Sequence, residues 1–428
     1  MTAAVDSQPP TAARVAAMVA ALIGIYMVSQ FFRNSVGVIG PDLAREFDLK
    51  ATDLSWLSSI FFLSFAVAQI PLGVAIDRFG PKASILATAA IMLAGAALFA
   101  LAPGYGGLVT GRLLIGVGCS SFYMGALAIY ARQFPPERFA AMTGMQLGVG
   151  TIGTLLATAP LAAATAAWGW RGAFAGVALV SAVMTALVMV FVFENPQAKA
   201  ARLSRSETLG EAFAGVWRAT KVDGFWTVLL MQFVTYSPFA AVLGLWGAPW
   251  LQQVHGVGPD DRGRLLFALA LAQVVGLFVW GASDRLFRSY KRPAMISGFG
   301  AASALLAAAL VDLPHAALLP YLVFYGFLNA SSALVTAHGK TLFPADLTAR
   351  GLTLMNIGTI GGVSLQQTIT GWVIEAFGSR IVDGVRVYPP EAYRAVFGVM
   401  ALELLIALAL YVRIADRHPL RPAPTTKV

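Results

Sequence analysis

Cysteine is all but absent: Cys119 is the one in the chain, set in an apolar run. A disulfide within the chain is therefore excluded, and so is a thiolate metal cluster. Histidine is nearly as scarce. His255, His315, His338 and His418 are scattered and show no metal-ligand spacing. Charge is the third shortage. Charged residues make up 12% of the 428 positions against 58% hydrophobic, where a soluble domain carries about 25% charge. Such a chain cannot cover itself with water-facing groups. This excludes an ordinary soluble enzyme or binding module and points to an integral membrane protein. The net charge of +9 does not signal nucleic acid, because the basic residues sit in short connections rather than on one soluble face. The opening stretch MTAAVDSQPPTAAR lacks the charged-then-apolar pattern of a cleavable signal peptide.

What is abundant is apolar runs of membrane-crossing length, about 20 residues each. Twelve are predicted, near 14–39, 53–76, 83–102, 106–131, 140–166, 171–193, 224–252, 263–283, 294–311, 316–339, 351–377 and 394–413. The longest polar connection, 194–223, follows the sixth. It divides the chain into an N-terminal six-helix bundle (1–193), a linker (194–223) and a C-terminal six-helix bundle with a tail (224–428). With both termini on one side, the loops and tails of that side hold twenty Lys and Arg and those of the other side eight. The excess places both termini in the cytoplasm. A multi-pass protein of the cell's inner membrane is expected, present as a monomer with the lipid bilayer as its surroundings.

One short stretch interrupts the apolar pattern with chemistry. In QIPLGVAIDRFGPK (Gln69 to Lys82) an apolar run halts at Asp77-Arg78, turns at Gly80-Pro81 and adds Lys82 before apolar residues resume. Gly and Pro supply turn chemistry, so the stretch reads as a two-helix hairpin. The acidic-basic pair recurs at Asp284-Arg285, the sequence GTIG at Gly150 and again at Gly358, and Phe-Pro at Phe134 and Phe343. Three echoes in order, at offsets of 207 to 209, indicate two related halves. Parallel repeats of this kind occur in transporters that rock two halves about a central site.

On these residues the chain resembles the major facilitator superfamily. Gly73, Asp77, Arg78, Gly80 and Lys82 match its loop 2–3 signature, G-x-x-x-D-R-x-G-x-K/R, and GRLLIGVG from Gly111 resembles its helix 4 motif, with Arg112 at the arginine position. The resemblance implies an all-α fold of twelve transmembrane helices in two pseudo-symmetric six-helix bundles, with helices 1, 4, 7 and 10 lining a cavity. It implies that Asp77 meets a helix N-terminus of the other half, where the dipole favours an anion. Gly73, Asp77, Arg78, Gly80, Lys82, Asp284 and Arg285 are then gating residues. Gly73 is expected to let a neighbouring helix approach closely. The second copy departs from the motif, with Trp280 and Phe287 at the two glycine positions.

Two arginines sit inside predicted spans, where burial costs at least ~2.5 kcal/mol each. Arg33 on helix 1 and Arg112 on helix 4 therefore face a cavity or a partner. Guanidinium forks match carboxylate or phosphate, which makes both candidates for binding an anionic substrate. The competing reading has Arg112 holding helices together through backbone carbonyls and Arg33 snorkelling to the interface. Buried amides also need partners. Gln232, Asn329, Asn356 and Gln367 are the preferred polar contacts for substrate, Tyr123 and Tyr236 the aromatic walls. Glu403 is the one mid-span carboxylate and the candidate proton site. No carboxylate sits mid-span in helices 1, 4, 7 or 10. GVGTIG (Gly148 to Gly153) spells a dinucleotide fingerprint, but it lies in an apolar helix rather than after a strand, so its glycines read as packing positions.

The expectation is a secondary transporter of a small organic anion, of carboxylate or phosphate type, working by alternating access. It needs no cofactor and no nucleic acid, leaves room for a co-transported ion, and carries no enzyme chemistry. Two alternatives stand beside it: an exporter of drugs or metabolites on the same fold, and a non-transporting membrane sensor or assembly protein.

Overall fold

The computed structural model describes residues 11–194, 217–344, 347–382 and 385–416. Most of the expected linker, with Lys199, Arg202 and Arg205, lies outside the described residues, as do Arg417, Arg421 and Lys427 of the tail.

Ten stretches are long and apolar enough to cross a membrane, and two observations raise the number of spans among the described residues to twelve. Ala141–Phe191 is 51 residues long, more than twice what a ~30 Å hydrocarbon core requires, and it breaks at Gly169, where φ is 69° and ψ is 165°. Thr348–Ala376 is a helix of 29 residues that is less apolar than the rest. The spans are helix 1 (Ala12–Phe47), helix 2 (Ala51–Phe79), helix 3 (Pro81–Ala100) and helix 4 (Tyr105–Cys119 continued by Ser121–Gln133). Helix 5 runs from Pro136–Gly150 through Ile152–Leu156 to 168, and helix 6 covers 170–191. Helix 7 is Phe225–Ala241, a π-helical turn Val242–Trp246, and Gly247–Gln253. Helix 8 (Pro259–Phe287), helix 9 (Lys291–Leu310), helix 10 (Leu318–Leu328 and Ser332–Lys340), helix 11 (Thr348–Ala376) and helix 12 (Pro390–Tyr411) complete the second bundle.

Local chemistry sets the ends. Prolines open helices 3, 5, 8 and 12 in the first turn, where the missing N–H has no helical partner to lose. Helix 2 ends on Gly80 at φ 97°, a backbone state that only glycine adopts without strain. At the echo between helices 8 and 9 the turn falls one residue later and is made by Arg288 at φ 45°. Helix 1 extends past its expected end at 39 to Phe47. Its polar last turn is held there by Glu46, which accepts from the Trp170 indole at 2.7 Å and pairs with Arg171.

The face at which helix 1 begins and helix 12 ends is the terminal face, the opposite one the distal face. The two bundles repeat one packing device. Helix 5 lies on helix 1 where a Cβ at Gly153 would stand 2.0 Å from the Met27 carbonyl, and helix 11 lies on helix 7 where one at Gly362 would stand 2.4 Å from the Phe233 carbonyl.

The bundles meet on the distal face. Helix 11 crosses helix 2 at Gly371, where a Cβ would stand 2.0 Å from Ser55 Oγ, and Ser364 Oγ donates to the Ser59 carbonyl at 3.0 Å. The backbone N–H of Ala51 donates to Tyr388 Oη at 2.8 Å and to Glu375 Oε2 at 3.1 Å. A short antiparallel hairpin, Arg380–Val382 with Val385–Val387, joins helices 11 and 12 there, and its Arg386 pairs with Asp48 at 2.9 Å. On the terminal face, a Cβ at Gly73 on helix 2 or Gly144 on helix 5 would meet nothing within 4 Å. The expected close approach at Gly73 is therefore not made in this conformation, because the bundles have parted on that side.

Candidate functional site

Two buried arginines of the first bundle face opposite surroundings. Arg112 is fully buried. Its Nη1 donates to the Phe32 carbonyl of helix 1 at 2.7 Å and its Nε to the Leu57 carbonyl of helix 2 at 3.3 Å, while its guanidinium carbon stands 4.7 Å from the Phe61 ring centroid. It fastens helix 4 to helices 1 and 2, and its Nη2 is buried without a partner. Arg33 is 9% exposed. Its guanidinium carbon lies 4.8 Å over the ring of Phe65, and its Nε has no partner. The hydroxyl of Tyr236, from helix 7 of the other bundle, lies near the guanidinium without a hydrogen bond between them. Neither arginine has a carboxylate within ion-pair distance among the described residues.

Aromatic rings line the same region. Tyr26, two turns before Arg33 on helix 1, has its ring centroid 5.3 Å from that of Tyr123 on helix 4. Gly150 leaves the space that Tyr26 fills, since a Cβ there would stand 2.2 Å from Tyr26 Cδ1. The glycines of the fingerprint-like stretch thus serve helix packing. Tyr26 and Phe65 escape a reading of the sequence, because an aromatic residue in an apolar helix is ordinary. The one available signal was Phe65 standing a helical turn after Phe61, each under one arginine.

The second bundle supplies amides with open hydrogen-bonding capacity. Gln232, one turn before Tyr236, donates through Nε2 to Thr336 on helix 10 at 2.6 Å and leaves Oε1 unpaired. Asn329 stands where helix 10 is interrupted, and both its amide atoms are buried without partners; the same holds for Gln367 on helix 11. Asn329 and Gln367 lie at the depth of Arg33, and Gln232 about two turns nearer the terminal face. A Cβ at Gly37 would stand 2.4 Å from the Leu243 carbonyl, which fixes the register of helices 1 and 7. Four residues back along each of these parallel helices sets Arg33 level with Phe239. Ser237 donates to Gln366 at 3.3 Å, which brings Gln367 near that level. Counting seven residues along antiparallel helix 10 from Thr336 brings Asn329 to it as well. Asn356 is separate, eleven residues and about 16 Å of helix nearer the terminal face than Gln367. Glu403, half-buried on helix 12, faces Gln366.

The signature residues lie on the open terminal face. Asp77 is exposed and approaches Arg132 of its own bundle at 4.0 Å, with no helix of the other bundle placed against it among the described residues. Arg78 is exposed and stacks on Phe79 at 5.5 Å. Lys82 binds helix 6, its Nζ donating to the Met189 carbonyl at 2.8 Å and its N–H to Glu194 at 2.8 Å. At the echo, the Asp284 carbonyl accepts from Ser289 N at 3.2 Å and Arg285 is exposed.

Comparison with known proteins adds a family to this geometry. The model of the Major Facilitator Superfamily matches residues 22–356. Among curated relatives, a probable sulfoacetate transporter of Cupriavidus necator is 26% identical, covering 83% of this chain and 86% of its own length. A gentisate transporter of Corynebacterium glutamicum is 24% identical, covering 87% and 83%. A solved bacterial homologue of the human lysosomal transporter Spinster, in an inward-facing and unoccupied conformation, superposes with a TM-score of 0.77 at 19% identity, covering 94% of this chain and 97% of that one.

Proposed function

The chain belongs to the major facilitator superfamily, a family of membrane transporters rather than enzymes, and we propose that it carries a small organic anion across a cell's inner membrane by alternating exposure of one central site. The observation that carries this reading is Arg33. It is a cation at mid-depth between the bundles, with no carboxylate to neutralise it among the described residues and with hydrogen-bonding capacity left open. A buried charge without a partner is costly, and a bound anion removes that cost. Sulfoacetate and gentisate, named for two relatives, are organic anions. Arg112 is assigned the fastening of helices 1, 2 and 4, because its guanidinium already faces two carbonyls. A cationic drug would meet an uncompensated positive charge at this site, which disfavours the exporter alternative.

Both termini are assigned to the cytoplasm, from the excess of Lys and Arg on the terminal face. The structure then corresponds to the state open to the cytoplasm. Asp77 would engage the other bundle when that face closes. Glu403 is assigned an accompanying proton. Replacing it with Gln should stop uptake driven by a pH gradient while anion exchange continues.

The test is uptake by proteoliposomes offered carboxylates, sulfonates, phosphates and cationic drugs, with Arg33→Ala alongside. Accumulation of anions that the substitution abolishes supports the reading. Movement of cationic compounds, indifferent to Arg33→Ala, would show it to be wrong.

A further inference from the structure

We infer that Glu375 and Tyr388 are gating residues that lock the distal face by holding the N-terminus of helix 2, and that Glu375 forms with Asp77 a latch closing one end of the helix 2–helix 11 pair at a time. This rests on the alternating-access reading above.

The first turn of a helix has N–H groups without helical partners. In helix 2 the N–H of Lys50 is met within its own bundle, by Asp53 Oδ2 at 2.9 Å. That of Ala51 is met from the other bundle. It donates to Tyr388 Oη at 2.8 Å and to Glu375 Oε2 at 3.1 Å, and the Tyr388 hydroxyl donates to the same carboxylate oxygen at 2.8 Å. Ala51 and Tyr388 are buried and Glu375 is half-buried. The helix dipole favours a carboxylate at this end, and a hydrogen bond to an ionised acceptor is roughly twice as strong as a neutral one.

Tyr388 is held in place for this contact. Its N–H donates to Gln253 Oε1 at 2.9 Å, and Tyr393 Oη donates to the same oxygen at 2.9 Å. Gln253 Nε2 donates to the Arg386 carbonyl at 3.2 Å. The end of helix 7, the distal hairpin and the start of helix 12 thus set one hydroxyl against helix 2, with Gln253 as the positioning residue. The Arg386–Asp48 pair adds little, because Asp48 is exposed.

Register links this lock to the other face. Helices 2 and 11 run antiparallel, with Glu375 at Ala51 and Gly371 at Ser55. Asp77 stands 26 residues after Ala51 (77 − 51), and the same count back from Glu375 reaches the first turn of helix 11. Each helix therefore carries a carboxylate in its last turn opposite the N-terminus of its partner. The distal contact is made in this structure, whereas Asp77 has no helix of the other bundle against it among the described residues. The pair meets at Gly371 and is parted at Gly73, so the two contacts alternate and each stabilises one state alone.

Spin-label distances across each face, measured on the full chain in lipid nanodiscs without substrate, test this. The labels go on introduced cysteines, since the native Cys119 is buried. Glu375→Gln keeps the size of the side chain and removes its charge. It should raise the distal-open population about tenfold, as terminal-face distances shorten. Tyr388→Phe should act in the same direction by about threefold and serves if the first variant does not fold. Adding Asp77→Asn to Glu375→Gln should return the distribution toward wild type, a reversal that a purely local packing role for Glu375 does not produce. Gly371→Leu, which wedges the same face by size alone, is the control. Distal distances that lengthen in Gly371→Leu but in neither Glu375→Gln nor Tyr388→Phe overturn the lock and leave alternating access standing. Distal opening that Asp77→Asn fails to reverse overturns the latch with two ends. Faces that move in none of these variants overturn the lock and the alternating-access reading together.

Discussion

Arg33 and Arg112 are buried in the same bundle, each beside a phenylalanine of helix 2, and they differ in what they already hold. Arg112 faces two backbone carbonyls on two neighbouring helices. Arg33 faces a tyrosine hydroxyl from the other bundle and keeps an unpaired Nε. Burial is common to both and distinguishes nothing. Each keeps one buried guanidinium nitrogen unpaired, Nη2 in Arg112 and Nε in Arg33, so the two interhelical hydrogen bonds that Arg112 makes, and that Arg33 lacks among the described residues, separate a fastener from a receptor.

The largest effect should come from exchanging these roles by substitution. Arg33→Ala should lower uptake at least about thirtyfold, in line with the 2–5 kcal/mol of a truncated buried charge pair, while the melting temperature stays within a few degrees. Arg112→Ala should remove two interhelical hydrogen bonds from a charged donor and cost on the order of 3 kcal/mol of stability, seen as a clearly lowered melting temperature. The comparison breaks if Arg33→Ala unfolds the protein and Arg112→Ala folds normally.

The same contrast governs how far the sequence could be read. Helix number, the Gly80-Pro81 turn and the echo of the two halves are local features, set by run length and turn chemistry, and they were legible. Arg33 was legible as a charge in an apolar run. The surroundings of Arg112 were not, because they depend on where the carbonyls of Phe32 and Leu57 come to lie, 80 and 55 residues away in the chain. Helix 7's π-turn and the unpaired state of Asn329 and Gln367 likewise arise only from packing. The distal hairpin was missed although its signal was present, an Asp-Gly pair between β-branched residues at 381–385. Gly73 shows a different limit. Its motif was plain, but a Cβ there would meet nothing within 4 Å, so the helix approach expected of it is not made in this structure.

The two faces offer the next, smaller effects. The distal face is joined by helix 11 on helix 2 at Gly371 and the terminal face is parted at Gly73. Gly371→Leu should wedge the distal contact, since a Cβ alone would stand 2.0 Å from Ser55 Oγ. Overpacking costs 1–3 kcal/mol, so the distal-open population should rise about tenfold. Spin-label distances across the distal face should lengthen; unchanged distances would mean that this crossing does not hold the face shut. Asp77→Ala touches the open face, where its one ion-pair partner is 4.0 Å away. Substrate affinity and melting temperature should hold, and turnover should fall roughly fivefold, for a pair worth ~1 kcal/mol. Loss of affinity with turnover intact would move Asp77 into the substrate site.

The smallest effect sharpens the asymmetry of the faces through pH. His255 follows helix 7 on the distal side, edge-on to Trp250 with ring centroids 4.7 Å apart. Partial burial holds its pKa below the usual histidine value, the nearby His315 lowers it further, and Asp312 opposes the shift. The folded protein therefore resists a proton that the unfolded chain accepts. Stability at this position is full above the ordinary histidine pKa of about 6.5 and is lost as pH falls through that value toward the folded one. Wild type should lose about a degree more in melting temperature between pH 7.5 and 5.5 than His255→Gln does. Spin labels on the distal face should loosen over the same interval, while labels near Gly73 on the terminal face stay unchanged. An equal response on both faces would detach the pH effect from His255 and from the distal contact it borders.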